Sequence, residues 1–126
     1  MNREIKFRVF DKVKKEFILD GHSNVLMIDL FGGIYRVHND SCESPISELN
    51  NCIISQYTGI SDKYGRHIFE GDIMDYGNGR VFYVIYSGCQ FVATFNEKST
   101  NAIISIQKFK VIGDIFANPE LLIPNH

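Results

Sequence analysis

The sequence predicts an all-β (mainly β) protein: a small barrel in the C-terminal part, an N-terminal β-hairpin and sheet extension, and one or two short helical turns. Three observations lead there. Apolar residues recur with a period of two, and no segment keeps a helical period for three turns. Glycine and other turn residues punctuate the chain at short intervals. With 126 residues, 44% of them hydrophobic and 13% aromatic, the chain can bury one core.

Ile5, Phe7 and Val9 alternate with Lys6 and Arg8, the pattern of a strand with one buried face. The charged run from Asp11 to Glu16 then predicts a turn, and Phe17-Ile18-Leu19 the return strand. Asp20 to Asn24 has turn chemistry, Val25 to Leu30 is a strand, and Ile34 to Val37 returns after Gly32-Gly33. The polar stretch from His38 to Asn51 contains one predicted helical turn, Ser44 to Leu49, with Ser44 as N-cap and Pro45 at its first position. A boundary there divides the chain into an N-terminal part, 1–51, and a barrel, 52–126, which also suit one compact unit.

In the second part Ile53 to Thr58 is a strand, and Ser61 to Gly65 a turn. Glu70-Gly71-Asp72 is a tight turn leading into Ile73 to Tyr76. Asn78-Gly79 joins that strand to Arg80–Tyr86, and Asn-Gly between apolar runs is the strongest short hairpin signal. Val81 to Tyr86 is apolar on both faces, which predicts a central strand. Ser87-Gly88 turns into Gln90–Phe95, where Phe91, Ala93 and Phe95 share a face. Asn96 to Asn101 is a polar tip, and Ala102, Ile104 and Ile106 predict a further strand. Lys110 to Phe116 is the last strand, followed by a helical turn at 118–122 capped by Asn118.

The formal net charge is −2, which excludes binding to nucleic acid through overall charge alone. Apolar runs are too short to span a membrane, and no signal peptide opens the chain. A cytoplasmic protein is therefore the expectation. Cys42, Cys52 and Cys89 are odd in number and widely spaced, so each is expected to be a partly buried hydrophobe and not half of a disulfide. His38 and Cys42 lie close together, but structural zinc sites need a second close pair. No metal and no cofactor are expected.

Candidate sites are few. Tyr57, Tyr64, Arg66 and His67 belong to a loop region that could contact an acidic group or a phosphate. Glu70 and Asp72, with Asp75 nearby, could share a strand face as acid and base or hold a cation. A tight turn in which Asp72 accepts backbone amides is the plainer account. Arg3, Lys6, Arg8, Lys12, Lys14 and Lys15 form a basic N-terminal cluster suited to phosphate, or simply a solvated strand and hairpin. No nucleophile elbow, P-loop or dinucleotide fingerprint is present, so no catalytic residue is expected. Cys89, in a turn, is expected to pack under the following strand.

Three blocks carry a family resemblance: Arg3 to Asp11, Gln56 to Ile73, and Val111 to Leu122. With these blocks the chain resembles the YopX family of small phage and prophage proteins. The resemblance implies an SH3-type barrel in the C-terminal part, a phage or prophage origin, a bacterial host cell as location, and no established activity. It transfers no catalytic residue. The expected role is a non-enzymatic binding or self-assembling module, whose partner is a second copy (a homo-oligomer) or another phage or host protein. The alternatives are a nucleic-acid-binding accessory protein using the basic N-terminus, and a small enzyme or metal-binding protein around His67, Glu70 and Asp72.

Overall fold

The computed structural model describes residues 4–18, 24–38, 46–95 and 100–122. These residues form an all-β structure. Its strands are β1 (Phe7–Asp11), β2 (Glu16–Ile18), β3 (Asn24–Ile28), β4 (Ile34–His38), β5 (Ile46–Glu48) and β6 (Cys52–Ser61). They continue as β7 (His67–Phe69), β8 (Asp72–Gly77), β9 (Arg80–Ser87), β10 (Gln90–Thr94), β11 (Thr100–Ala102) and β12 (Lys110–Asp114). Two 3-10 helices span Ile103–Lys108 and Pro119–Leu122. The sheet orders are β2-β1-β6-β7, β3-β4-β5 and β11-β10-β9-β8-β12. Arg3, Cys42, Ser44, Pro45 and the expected turn over 20–23 lie outside the described residues. So does 96–99 of the expected polar tip.

The chain forms two compact units, Arg8–Ile54 and Met1–Phe7 with Ser55–His126. In the smaller unit, β1 and β2 pair with Val9 opposite Ile18 and Phe10 opposite Phe17. The Phe10 and Phe17 rings meet edge to face at 5.1 Å. Asp11 Oδ1 accepts from the amides of Val13 and Lys14 and so closes the intervening turn. Val9 and Phe10 are buried, whereas Ile5 and Phe7 are exposed. Of the three alternating apolar residues only Val9 is buried, and Phe10 on the opposite face is buried as well. Neighbouring strand residues point to opposite faces, so β1 is covered on both sides at 9–10.

Residues 46–48 correct the expected helical turn at Ser44–Leu49. They are β5, paired with β4 through Val37↔Ile46, Arg36↔Ser47 and Tyr35↔Glu48. A single helical turn is too short to hold itself, and a ready strand edge offers it ladder hydrogen bonds instead.

In the larger unit the five-stranded sheet curls into half a barrel. β9 lies at its centre, as its apolar run predicted. The turn between β8 and β9 has Asn78 at φ 57° and Gly79 at φ 76°, the doubly left-handed geometry that suits a two-residue hairpin. Ile68, Met74, Phe82, Val84 and Ile106 form the core, flanked by Ile60, Phe91, Ala93, Phe95, Phe109 and Val111. Phe91, Ala93 and Phe95 thus face the core together, while Val92 and Thr94 on the other face of β10 are also buried. Phe82 meets Phe109 edge to face at 5.3 Å, and Tyr76 stacks on Phe109 at 5.3 Å.

Three further expectations are corrected here. The strand expected through 102–106 is a 3-10 helix from Ile103. Its three-residue repeat sends Ile106 and Phe109 to one side, and both join the core. Asn101, expected in the polar tip, instead pairs with Ala93 in β11. Cys89 is exposed at φ 66°, because the two-residue turn occupies Gly88 and Cys89 and leaves the thiol at the tip. The closing helix at 119–122 lies where expected, but the Asn118 carboxamide turns back to accept from Asp114 N at 3.2 Å. It therefore joins the helix to β12, where a side-chain N-cap would have faced the helix amides.

Gly71 fixes how the 70–71 turn docks. Its N–H donates to Val84 O at 2.7 Å, and its carbonyl accepts from Ile115 N at 2.8 Å. Its φ is 91°, and a Cβ there would lie 2.7 Å from Phe116 Cε2. Gly71→Ala therefore combines backbone strain with overpacking and is expected to destabilise the fold by about 2–4 kcal/mol. Gly65→Ala, at φ 82° with open space around it, incurs the backbone part alone, about 1 kcal/mol. Urea unfolding of the two variants beside the wild type reads the difference.

Candidate functional site

The candidate loop region is built on β6 and β7. Tyr57 pairs with Phe69 and Ser61 with His67, so β6 advances four residues while β7 advances two. The extra residues form a bulge, which bends the strand and re-aims the loop at its end. Thr58 fastens it, because Thr58 Oγ1 donates to Ile68 O at 2.8 Å and accepts from Ile60 N at 3.2 Å.

Asp62 then sets the loop. Its side chain is 5% exposed. Oδ1 accepts from Tyr64 N at 2.9 Å and Arg66 N at 2.8 Å, and Oδ2 accepts from Val111 N at 3.0 Å. Asp62 N donates to Arg66 O at 2.8 Å, and Lys63 N donates to Phe109 O at 3.1 Å. The loop is thus tied to itself and to the start of β12. Burial pushes the Asp62 pKa up, but the three amides and the Arg66 charge outweigh it and hold the pKa below its ordinary 3.8.

What the loop presents is Tyr64, 63% exposed, with Lys63 Nζ 5.2 Å from its ring centre, and exposed Arg66. Arg66 Nη1 donates to Val111 O at 3.2 Å. Tyr57 is not presented: it is 7% exposed, stacked on His67 at 4.4 Å and tilted against Phe69 at 5.7 Å. His67 is half-buried in that stack.

Glu70 and Asp72 do not share a strand face, because Glu70 lies in the turn and Asp72 opens β8. Asp72 is 1% exposed and its Oδ2 accepts from Phe69 N at 2.8 Å, which closes the turn. Asp114, opposite Asp72 in the ladder, accepts from Phe116 N and Ala117 N in the same manner. Among the described residues no group of three His, Cys, Asp or Glu side chains could hold a metal ion.

The basic cluster is dispersed in its contacts. Lys6 pairs with Glu4 at 3.2 Å. The Arg8 guanidinium lies over the Phe17 ring at 4.6 Å. Lys12, Lys14 and Lys15 are exposed together in the turn between β1 and β2. Asp62 was missing from the sequence-based site residues. Its signal was there, an Asp placed two and four residues before amides of a Gly-containing turn, which is an Asx-turn pattern.

A family model described as YopX protein matches residues 6–123. The chain belongs to the YopX family. Among solved structures it is similar to protein EF1440 from Enterococcus faecalis, with a TM-score of 0.61 and 26% identity over 97% of this chain and 100% of that one. It shares its fold with protein yopX from Bacillus subtilis, with a TM-score of 0.61 and 19% identity over 95% of this chain and 97% of that one. No curated protein matches the chain. No helix of the described residues is long and apolar enough to cross a membrane.

Asp62→Asn places an NH2 group or a weaker acceptor before three amides, and is expected to cost about 1–3 kcal/mol. A carboxyl whose folded pKa is depressed stabilises above its unfolded pKa, and that stability is lost as pH falls through the folded value. Wild-type stability should therefore fall below about pH 4 more steeply than that of Asp62→Asn, read by thermal melting across pH.

Proposed function

We propose that the chain is a non-enzymatic binding or self-assembling module of a phage or prophage, acting in the bacterial host cytoplasm. In this reading the 52–126 part serves as an SH3-like barrel, and its loop at 62–66 meets a protein partner. The observation that carries it is the outward presentation of Tyr64 and Arg66 on a backbone pinned by the buried Asp62. A pre-ordered loop loses little entropy on binding. An aromatic ring with Lys63 beside it, on a loop that also exposes Arg66, suits an acidic or phosphorylated group on the partner.

A second reading, a nucleic-acid-binding accessory protein, is favoured by the exposure of Lys12, Lys14 and Lys15 in one turn. The two separate in one experiment: capture of the tagged protein from bacterial lysate with and without nuclease. The first reading expects a partner that survives nuclease and is reduced about tenfold by Tyr64→Ala with unchanged melting. The second expects capture that vanishes with nuclease and with Lys12→Glu, Lys14→Glu and Lys15→Glu combined. A nuclease-resistant partner indifferent to Tyr64→Ala removes the 62–66 loop from the account.

A further inference from the structure

Exposed Arg80 opens β9 in a corner between two aromatic rings. Its guanidinium carbon lies 5.1 Å from the centre of the Tyr76 ring and 4.6 Å from that of Phe95. The two rings meet edge to face at 5.2 Å, with 82° between their planes. The ladder accounts for the place of Tyr76. Asp75 pairs with Val81 and Gly77 with Arg80, so Tyr76 is the extra residue of a bulge, and a bulge re-aims the side chain it carries. Tyr76 is 46% exposed and stacks on Phe109. Attraction between the cation and the ring faces thus seats a long, flexible side chain on a fixed aromatic support.

Among the described residues the Arg80 guanidinium has no carboxylate partner and no hydrogen bond. Asp75, the acid nearest in the ladder, turns its Oδ1 to Gly77 N at 2.9 Å and so holds the bulge. The donor fork of Arg80 is therefore open to an anion. A single fork matches the two oxygens and one charge of a carboxylate, whereas phosphorylated groups are met by clusters of arginine. A nucleic-acid base stacking on Tyr76 would compete with Phe109 and Arg80 for the ring. The corner is joined to the loop at 62–66 through Phe109, whose carbonyl accepts from Lys63 N while its ring stacks on Tyr76. Lys63, Arg66 and Lys108 are exposed on these connected segments and add to a positive field that favours an acidic partner.

We propose that the corner formed by Tyr76, Arg80 and Phe95 is a second contact for the protein partner of the 62–66 loop, in which the Arg80 fork receives an Asp or Glu carboxylate from an acidic segment of that partner. The proposal rests on the protein-binding form of the reading above and names the class of segment that the surface takes.

The test is fluorescence anisotropy of the full chain with three labelled probes, and a melting curve on every variant. The probes are a Glu-Gly repeat peptide, its Gln-Gly counterpart and single-stranded oligothymidylate. The wild type is expected to bind the Glu-Gly peptide in preference to both others, and less tightly as salt rises. Arg80→Gln should weaken that binding about tenfold without lowering the melting temperature. If that variant melts early, Arg80→Met keeps a stem over the rings, removes the charge and should weaken binding likewise. Tyr64→Ala should also weaken it, because both contacts serve one segment. Binding that Tyr64→Ala weakens and Arg80→Gln leaves unchanged overturns the corner and leaves the loop reading standing. Binding indifferent to both variants overturns the two together. Equal affinity for the Glu and Gln peptides overturns the carboxylate contact. Tighter binding of oligothymidylate, lost with Arg80→Gln, gives the corner to nucleic acid and overturns the assignment to protein.

Discussion

One carboxylate organises the loop and the last strand of the larger unit. Asp62 gathers amides from Tyr64, Arg66 and Val111. Two belong to its own turn and one to β12, far along the chain. A buried charge is costly unless hydrogen bonds satisfy it, and here three do. The arrangement makes the loop and the strand interdependent: the loop supplies the carboxylate and two of its donors, and β12 supplies the third. The partial loop exposure of Tyr64 and Arg66 results from that fixed backbone.

The same device recurs. Asp72 closes the turn at Phe69, Asp114 the turn at Phe116 and Ala117, and Asp11 the turn at Val13 and Lys14. Asp11, Asp62, Asp72 and Asp114 all fall inside the three sequence blocks that carry the YopX resemblance. These blocks are thus rich in turn clamps. Their acidic residues suggest paired-carboxylate chemistry when read as a string, but the bonds they make go to backbone amides. A carboxylate that accepts local amides holds geometry, and this one geometry lets short strands with sharp turns build a small β structure. Asn118 and Gly113 extend the principle, the carboxamide lying where a Cβ on Gly113 would need to be.

How much was legible beforehand depends on the range of the forces involved. The β8–β9 hairpin was readable because Asn78-Gly79 fixes its turn within two residues. β9 was readable as central because a strand covered on both faces must be apolar on both. The 103–108 segment was not, because its apolar residues fit a period of two or of three, and the core position of Ile106 and Phe109 chose three. Residues 46–48 took the strand form because β4 offered an edge, which local propensity does not reveal. Among the candidate residues, Tyr64 and Arg66 are exposed, while Tyr57 is drawn into a stack with His67 and Phe69.

By itself the sequence determined the all-β class, the order of most strands, the tight hairpin turns and the family, since alternation, Asn-Gly pairs and contiguous motifs act between near neighbours. Tertiary structure decided which apolar residues are buried, which segments of ambiguous period become strand or 3-10 helix, and which carboxylates are clamps. Those outcomes depend on partners far along the chain, such as Val111 for Asp62 and Phe116 for Gly71, and no local pattern records a distant partner.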